Sequence, residues 1–364
     1  MTKLSRRAVI KYAGAAALAV ACSPSAPGAV STPGATQKLG SSGKPLVVAT
    51  VGGTFKDWQT ECFTDPFTRE TGVNVVSDVQ TPVTVISTMV GAKRANQTPQ
   101  HHVTKVDQFD VDFVTDQGLV TKIDKARVPN WQRIHPNFRT DSWISITFAS
   151  WVPAWNTDKV KKNVTSWFDM WDDSFKGRTT LPAFEWSGFF FLAAINTALG
   201  GTPENVNPGF AKIKEVADNL EPKFITSVEH GIQLLETGEA WFAPFFPDGR
   251  VRNLQDKKVP IAMTYPKEGA VVSGAGWVIN RALAENEAEA NAYLNKMGDR
   301  DAQLCFASKI NLPPTNTDVV LPASMERLKV KPDDLDRALR VPWGGYQARK
   351  DQYLDRWNRE IRRG

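Results

Sequence analysis

Residues 45–78, PLVVATVGGTFKDWQTECFTDPFTRETGVNVVSD, constrain the fold more than any other stretch. Leu46 to Val51 is an apolar, β-rich run, too short for a free-standing helix and suited to a buried strand. Gly52-Gly53 lets the backbone turn sharply, and Thr54 with Asp57 fits the Thr-x-x-Asp capping pattern of a helix start. Phe55, Trp58, Cys62 and Phe67 fall roughly on one helical face, Gly72 supplies the stop, and 73–76 reads as the next strand. A βαβ unit of this kind implies a parallel sheet. Its Gly-Gly turn feeds a helix N-terminus, where free N–H groups suit an anion, although the same turn also forms with no ligand.

The N-terminus bears on compartment. Ser5-Arg6-Arg7-Ala8-Val9-Ile10-Lys11 has the form of a twin-arginine export motif, and the apolar run from Ala13 to Ala21 is too short to anchor in a bilayer. Residues 1–21 therefore read as a signal peptide. Leu18-Ala19-Val20-Ala21-Cys22 has the form of a lipobox, which would lipidate Cys22, but Ala19-Val20-Ala21 equally satisfies ordinary signal cleavage. Residues 22–44 are Ser, Pro, Gly, Ala and Thr with almost no large apolar side chain, the composition of a linker. A tether of this length reaches roughly 25 Å and has a use only if its end is fixed, which favours the lipid anchor.

Basic charge is confined to that leader. Six of the 44 Lys and Arg precede residue 45 with no acid among them, leaving 38 against 39 Asp and Glu. The remainder has no basic footprint for nucleic acid. Its 320 residues exceed what one hydrophobic core supports, so two lobes are expected.

Strand and helix signals alternate along the rest, which means α/β. Helices are read at 83–95, 189–199, 210–220, 228–237, 285–297 and 302–307, with a long amphipathic one at 347–363. Strands are read at 144–153, 178–181, 240–246, 261–265 and 270–279, with Pro247-Asp248-Gly249 as a turn. Residues 97–106 read as a surface loop despite His101-His102, because adjacent strand side chains diverge and no ligand stands at metal spacing. Residues 109–114 alternate in strand fashion and end at Thr115-Asp116, the C-terminal strand end where parallel sheets place ligands. No nucleotide-binding, hydrolase or zinc-peptidase motif is present, and His101, His102, His135 and His230 form no triad pattern.

Several segments carry a resemblance in their order: Val51-Gly52-Gly53; Phe67-Thr68-Arg69-Glu70-Thr71-Gly72-Val73; Trp155-Asn156-Thr157-Asp158; Ser166-Trp167-Phe168-Asp169-Met170-Trp171 with Phe175-Lys176-Gly177; Gly238-Glu239; Tyr265-Pro266-Lys267-Glu268-Gly269; and Pro313-Pro314-Thr315-Asn316. Together they resemble the periplasmic solute-binding proteins of ABC importers, the group that includes spermidine/putrescine-binding proteins. The resemblance implies a type II-like fold: lobe 1 from 45–148 and 280–320, lobe 2 from 149–279, two crossings, and solute closed between them. The segment 321–364 is expected to be helical and packed on lobe 2. The implied function is a periplasmic, monomeric receptor that hands a small nitrogenous solute to an inner-membrane ABC permease. No cofactor, metal, nucleic acid or catalytic residue is expected, and the membrane is touched only through an anchor at Cys22.

Polyamine binders resemble a pattern with an aromatic and an acid after Pro-Lys-Glu-Gly, whereas here Ala270-Val271-Val272-Ser273-Gly274-Ala275-Gly276-Trp277 has no acid. Asp116, Glu185 or Asp248 would then face the amine, and Trp151, Trp155, Trp186 or Trp277 would stack on it, with Gly53, Thr54 and Ser273 also lining the cleft. Arg250 would instead pair with a carboxylate, making the solute an amino acid or other acid. An exported enzyme with a dispersed site is the remote alternative. In the resembled fold Cys305 returns to the lobe that holds Cys62, and in an oxidising compartment these two thiols are expected to bridge; two unpaired buried cysteines are the competing reading.

Overall fold

The first apolar run forms a strand as its composition requires, β1 (Leu46–Thr50), and the second forms β2 (Val75–Val79). The computed structural model describes Leu39, residues 43–282 and residues 286–362. The twin-arginine segment, Cys22 and nearly all of the linker lie outside the described residues. The other strands are β3 (Val103–Asp107), β4 (Trp143–Asn156), β5 (Thr180–Pro182), β6 (Lys223–Ile225), β7 (Phe242–Pro247), β8 (Ile261–Met263) and β9 (Val271–Ile279). Seven of them make one sheet in the order β2-β1-β3-β9-β4-β7, with β8 also on β4, while β5 and β6 pair separately. β1, β2 and β3 run parallel, as the βαβ pattern predicts, but β9, β7 and β8 join antiparallel.

The helices are α1 (Thr54–Gln59), α2 (Asp65–Thr71), α3 (Pro82–Arg94), α4 (Val111–Asp116), α5 (Phe189–Ala198), α6 (Asn207–Asn219), α7 (Val228–Glu236), α8 (Asp248–Asp256), α9 (Glu287–Met297), α10 (Arg300–Ile310), α11 (Pro332–Asp336), α12 (Trp343–Gln347) and α13 (Lys350–Glu360). Four sequence expectations change. Gly53, at φ 68°, takes the N-cap of α1 in a left-handed conformation open to glycine, so Thr54 is already helical and no side chain caps the helix. Residues 109–114 are a 3₁₀ turn and α4, because Val111 and Val114 fall one helical turn apart and are both buried. The strand lies earlier, in the stretch read as a loop: β3 follows His101, whose 2 % exposed ring stands 2.7 Å from Asp78 Oδ2. Its hydrogen bond holds the Asp78 carboxyl below the usual range. Asp248-Gly249 is no free turn but the first residues of α8.

Two core regions sit along the sheet. In the first, Leu46, Val48, Phe63, Phe67, Ile144, Trp277, Tyr293 and Phe306 pack on one sheet face. Met89, Val106, Val111, Phe138, Trp143 and Val278 pack together on the other. In the second, Trp155, Trp167, Leu181, Phe191, Phe210 and Phe245 pack with Trp343, Tyr346 and Trp357 of the C-terminal segment. Ala154, Ile225, Leu235 and Phe246 form a smaller cluster beside them. β4 and β9 belong to both regions, and they pair over eight residue positions from Trp143↔Val278 to Trp151↔Val271. The result is a two-lobed α/β fold with its lobes joined through long paired strands.

The crossing is packed tightly. A Cβ on Gly276 would stand 2.3 Å from the Ile144 carbonyl oxygen and 2.4 Å from the Trp143 indole, so only glycine lets that indole lie across β9. At the irregularity between Ser145 and Thr147, the Pro313-Pro314-Thr315-Asn316 loop is bonded in by Thr315 Oγ1 to the Ser145 carbonyl (2.5 Å) and Thr147 Oγ1 to the Pro313 carbonyl (2.8 Å). Cys62 and Cys305 are joined as a disulfide with Cα atoms 5.7 Å apart, tying the segment after α1 to α10 across 243 residues of sequence.

Candidate functional site

Strand alternation defines where the two cores leave a gap. On one face of β9, Val271 belongs to the second core and Trp277 and Ile279 to the first. Ser273 and Ala275, between them on the same face, are half-buried, and the Ala149 that pairs with Ser273 on β4 is half-buried too. Small side chains there make a shallow floor under the junction.

Aromatic side chains stand beside it. Trp151 is half-buried, stacked on Phe245 (centroids 4.8 Å, 11°), with Trp186 edge-on at 6.0 Å. Gly53 and Thr54 are exposed at the start of α1, and Phe55 covers Trp277 at 6.1 Å. Phe109, just after β3, reaches the second core: it stacks on Phe190 at 4.3 Å, and Trp343 meets both rings edge-on at 4.6 and 5.6 Å. Alongside lies a groove of about 570 Å³ between α3 and α4 on one side and α12 on the other. Pro82, Val83, Ile86 and Phe113 supply apolar surface, and Asp110 and Asp116 supply carboxylates. Its size falls within the usual range of small-molecule sites. Lys105 is buried and paired with Asp107 in this region.

The expected site residues divide. Trp151, Trp186 and Ser273 are half-buried at the junction, Gly53 and Thr54 are exposed at the α1 turn, and Asp116 lines the groove. Trp277 and Trp155 are 0 % and 9 % exposed and built into the two cores, so neither offers a ring face to a solute. Asp248 is fully buried and already committed: it accepts from Ser150 N (3.1 Å) and the Tyr265 hydroxyl (3.0 Å) and pairs with Arg252 at 2.9 Å. Burial and that carboxylate push the Tyr265 hydroxyl well above its ordinary pKa. Glu185 is exposed, 3.8 Å from Arg362, and Arg250 is exposed in the first turn of α8. Phe109, Asp110, Phe190 and Trp343 were missed. The signal for the first two was the Val111/Val114 helical spacing, masked by the alternation of Phe and Asp around it.

A family model described as bacterial extracellular solute-binding protein matches residues 63–332. The chain belongs to that family. Among relatives, the gamma-aminobutyric acid-binding protein of Pseudomonas aeruginosa is 22 % identical over 331 residues, covering 86 % of this chain and 90 % of its own. Spermidine/putrescine-binding periplasmic protein 1 of Haemophilus influenzae is 23 % identical over 288 residues, 72 % of this chain and 74 % of its own. A crystal structure of an ABC transporter from Clostridium perfringens shares the fold at a TM-score of 0.76 and 20 % identity, over 87 % of this chain and 99 % of that one.

Two of the segments that carried the resemblance meet in this solute-binding protein. Glu268 Oε1 accepts from the Ser166 hydroxyl at 2.6 Å, Glu268 Oε2 from Trp167 N at 3.2 Å, and the Gly269 carbonyl from Trp167 Nε1 at 2.9 Å. Trp155-Asn156-Thr157-Asp158 closes β4, with Asn156 Oδ1 accepting from Asp158 N at 2.9 Å. These segments brace the second core, so their occurrence reports the fold and not the solute. Among the described residues no helix is long and apolar enough to cross a membrane, and no group of three or more His, Cys, Asp or Glu stands ready to hold a metal ion.

Proposed function

We propose that this solute-binding protein is the extracytoplasmic receptor of an ABC importer and carries a small amine-bearing solute, bound without turnover, to the membrane permease. The observation that carries this reading is the junction itself: an acidic, partly apolar groove of about 570 Å³ between the two cores, with two half-buried tryptophans near the strands that link them. Tryptophan faces and carboxylates both favour an ammonium group. The names of the relatives agree, since gamma-aminobutyric acid, spermidine and putrescine all carry one. In this reading the expected division, 45–148 with 280–320 against 149–279, moves its second boundary into β9, and of the segment 321–364 the part from Val341 on packs on lobe 2 while Ala338 packs in the first core. The exchange within β9 falls between Val271 and Trp277, where its side chains change core. The receptor is a monomer that leaves the cytoplasm by the twin-arginine route, and Cys22 anchors it.

A second reading is supported by Arg250, which forms no ion pair with the described residues and is exposed at a helix start: a solute with both an ammonium and a carboxylate would use it as well. Thermal melting of the purified protein against polyamines, ω-amino acids and α-amino acids tests the proposal. A true solute at 100 times its Kd adds about 2.7 kcal/mol of stability and raises the melting temperature accordingly. No shift with any amine overturns the reading.

A further inference from the structure

Besides β4 and β9, the chain also crosses between the cores after α11. Val330, Leu335 and Ala338 pack with Met89, Val106 and Trp143 in the first core, while Leu339, Val341 and Trp343 pack in the second. Ala338 and Leu339 are consecutive, so the change of core takes one peptide step. Across a trans peptide the Cα atoms stand about 3.8 Å apart, a distance that no backbone rotation lengthens.

This crossing is gripped from both sides. Asn137 Nδ2 donates to the Leu335 carbonyl at 2.5 Å, next to Phe138 of the first core. Leu339 N donates to the Ala270 carbonyl at 2.9 Å, at the entry to β9. Gly269 lets the two backbones meet: its φ is 101°, and a Cβ there would stand 2.0 Å from the Arg337 carbonyl oxygen. β9 begins its own change of core at the same place, since Val271 packs in the second core and Val272 packs with Ala338 in the first. Two neighbouring extended segments therefore exchange core side by side, joined by a backbone hydrogen bond.

Along its flank the strap is not packed down. A cavity of about 510 Å³ lies between residues 338–343 and Gln108, Asn137, Arg139 and Trp143. Its far end runs into α12, where Gly344, Gln347 and Ala348 wall the groove of about 570 Å³. A segment serving only as a covering layer would fill the space beneath it. This one is fixed at its crossing and open beside it.

We propose that residues 335–341 are a pivot. The inextensible Ala338–Leu339 step, clamped against Gly269 and Ala270, confines the relative motion of the two cores to rotation about the line of the crossing strands and prevents them from sliding apart. α12 then swings with the second core on a fixed arc, and the solute-free ensemble stays narrow, which lowers the entropy lost on binding. This goes beyond the receptor reading and depends on no particular solute.

The test inserts three glycines between Ala338 and Leu339 in the full chain, lengthening the link from one peptide step to four. Both grips stay on their own cores, so the melting temperature is expected to remain close to that of the wild type. Small-angle scattering without solute is expected to give a larger radius of gyration, and a one-glycine insertion an intermediate one. Calorimetric titration with spermidine and with 4-aminobutanoate is expected to show weaker binding of whichever probe the wild type binds, by about threefold for each doubling of the free span. Superimposable solute-free scattering curves, or unchanged affinity for a probe that the wild type binds, overturn the proposal and leave the receptor reading in place. Should the three-glycine variant not fold, the one-glycine variant decides by the same comparisons. A sharp fall in melting temperature in both marks the crossing as part of the cores and overturns the pivot too. Binding of neither probe by the wild type counts against the receptor reading, and the scattering comparison alone then decides the pivot.

Discussion

At the scale of single residues, the buried polar cluster around Asp248 shows how a side chain that reads as functional becomes structural. Asp248 and Arg252 are one helical turn apart on α8, 0 % and 3 % exposed, and the Tyr265 hydroxyl, Ser150 N and Gly249 N also donate to the carboxylate. Removing one member of a buried pair leaves the other charged and unsolvated. Arg252→Ala is therefore expected to cost about 3–5 kcal/mol in urea unfolding, with the fraction that still folds keeping its solute affinity. A cost below about 1 kcal/mol would show that Asp248 is solvated and open to other partners. The sequence could not separate Asp248 from Asp116, because both follow stretches that read as strands; only the burial of one and the exposure of the other tells them apart. The same holds for the tryptophans. Trp151 and Trp277 both lie on crossing strands, but Trp277 falls where β9 has entered the first core.

At the scale of elements, the βαβ opening was legible because its signals agree: apolar run, glycine turn, helical face, glycine stop and second apolar run. The order of motifs along the chain was legible for the same reason, and the bonds between Glu268 and Ser166-Trp167 give a physical cause for two of them to occur together. β3 and α4 were not legible. β3 carries polar Thr104 and Lys105, whose burial depends on neighbours distant in sequence, and the acids around Phe109 and Phe113 mimic strand alternation. The Cys62–Cys305 disulfide joins early and late elements of the first core, where Cys62 and Phe63 pack with Phe306. Replacing both cysteines with serine is expected to cost about 2–5 kcal/mol of stability to chemical denaturation, since a loop of 243 residues is released in the unfolded chain. Solute affinity is expected to stay unchanged, because the bridge lies within one core. A large affinity loss in the folded double variant would mean that the bridge positions the binding surface.

At the scale of the whole molecule, the fold gives the two cores a shared axis and separate surfaces. β4 and β9 run through both, so bending or twisting of this pair changes the gap without unfolding either core. The stacking of Phe109 on Phe190, with Trp343 against both, joins the chain after β3 to the second core across the junction. A solute held between the cores adds its binding energy to the closed form and shifts the population toward it. Small-angle scattering, with and without a saturating amount of the amine that most stabilises the protein, tests this directly. The account predicts a smaller radius of gyration with solute bound. An identical curve at saturation would contradict it.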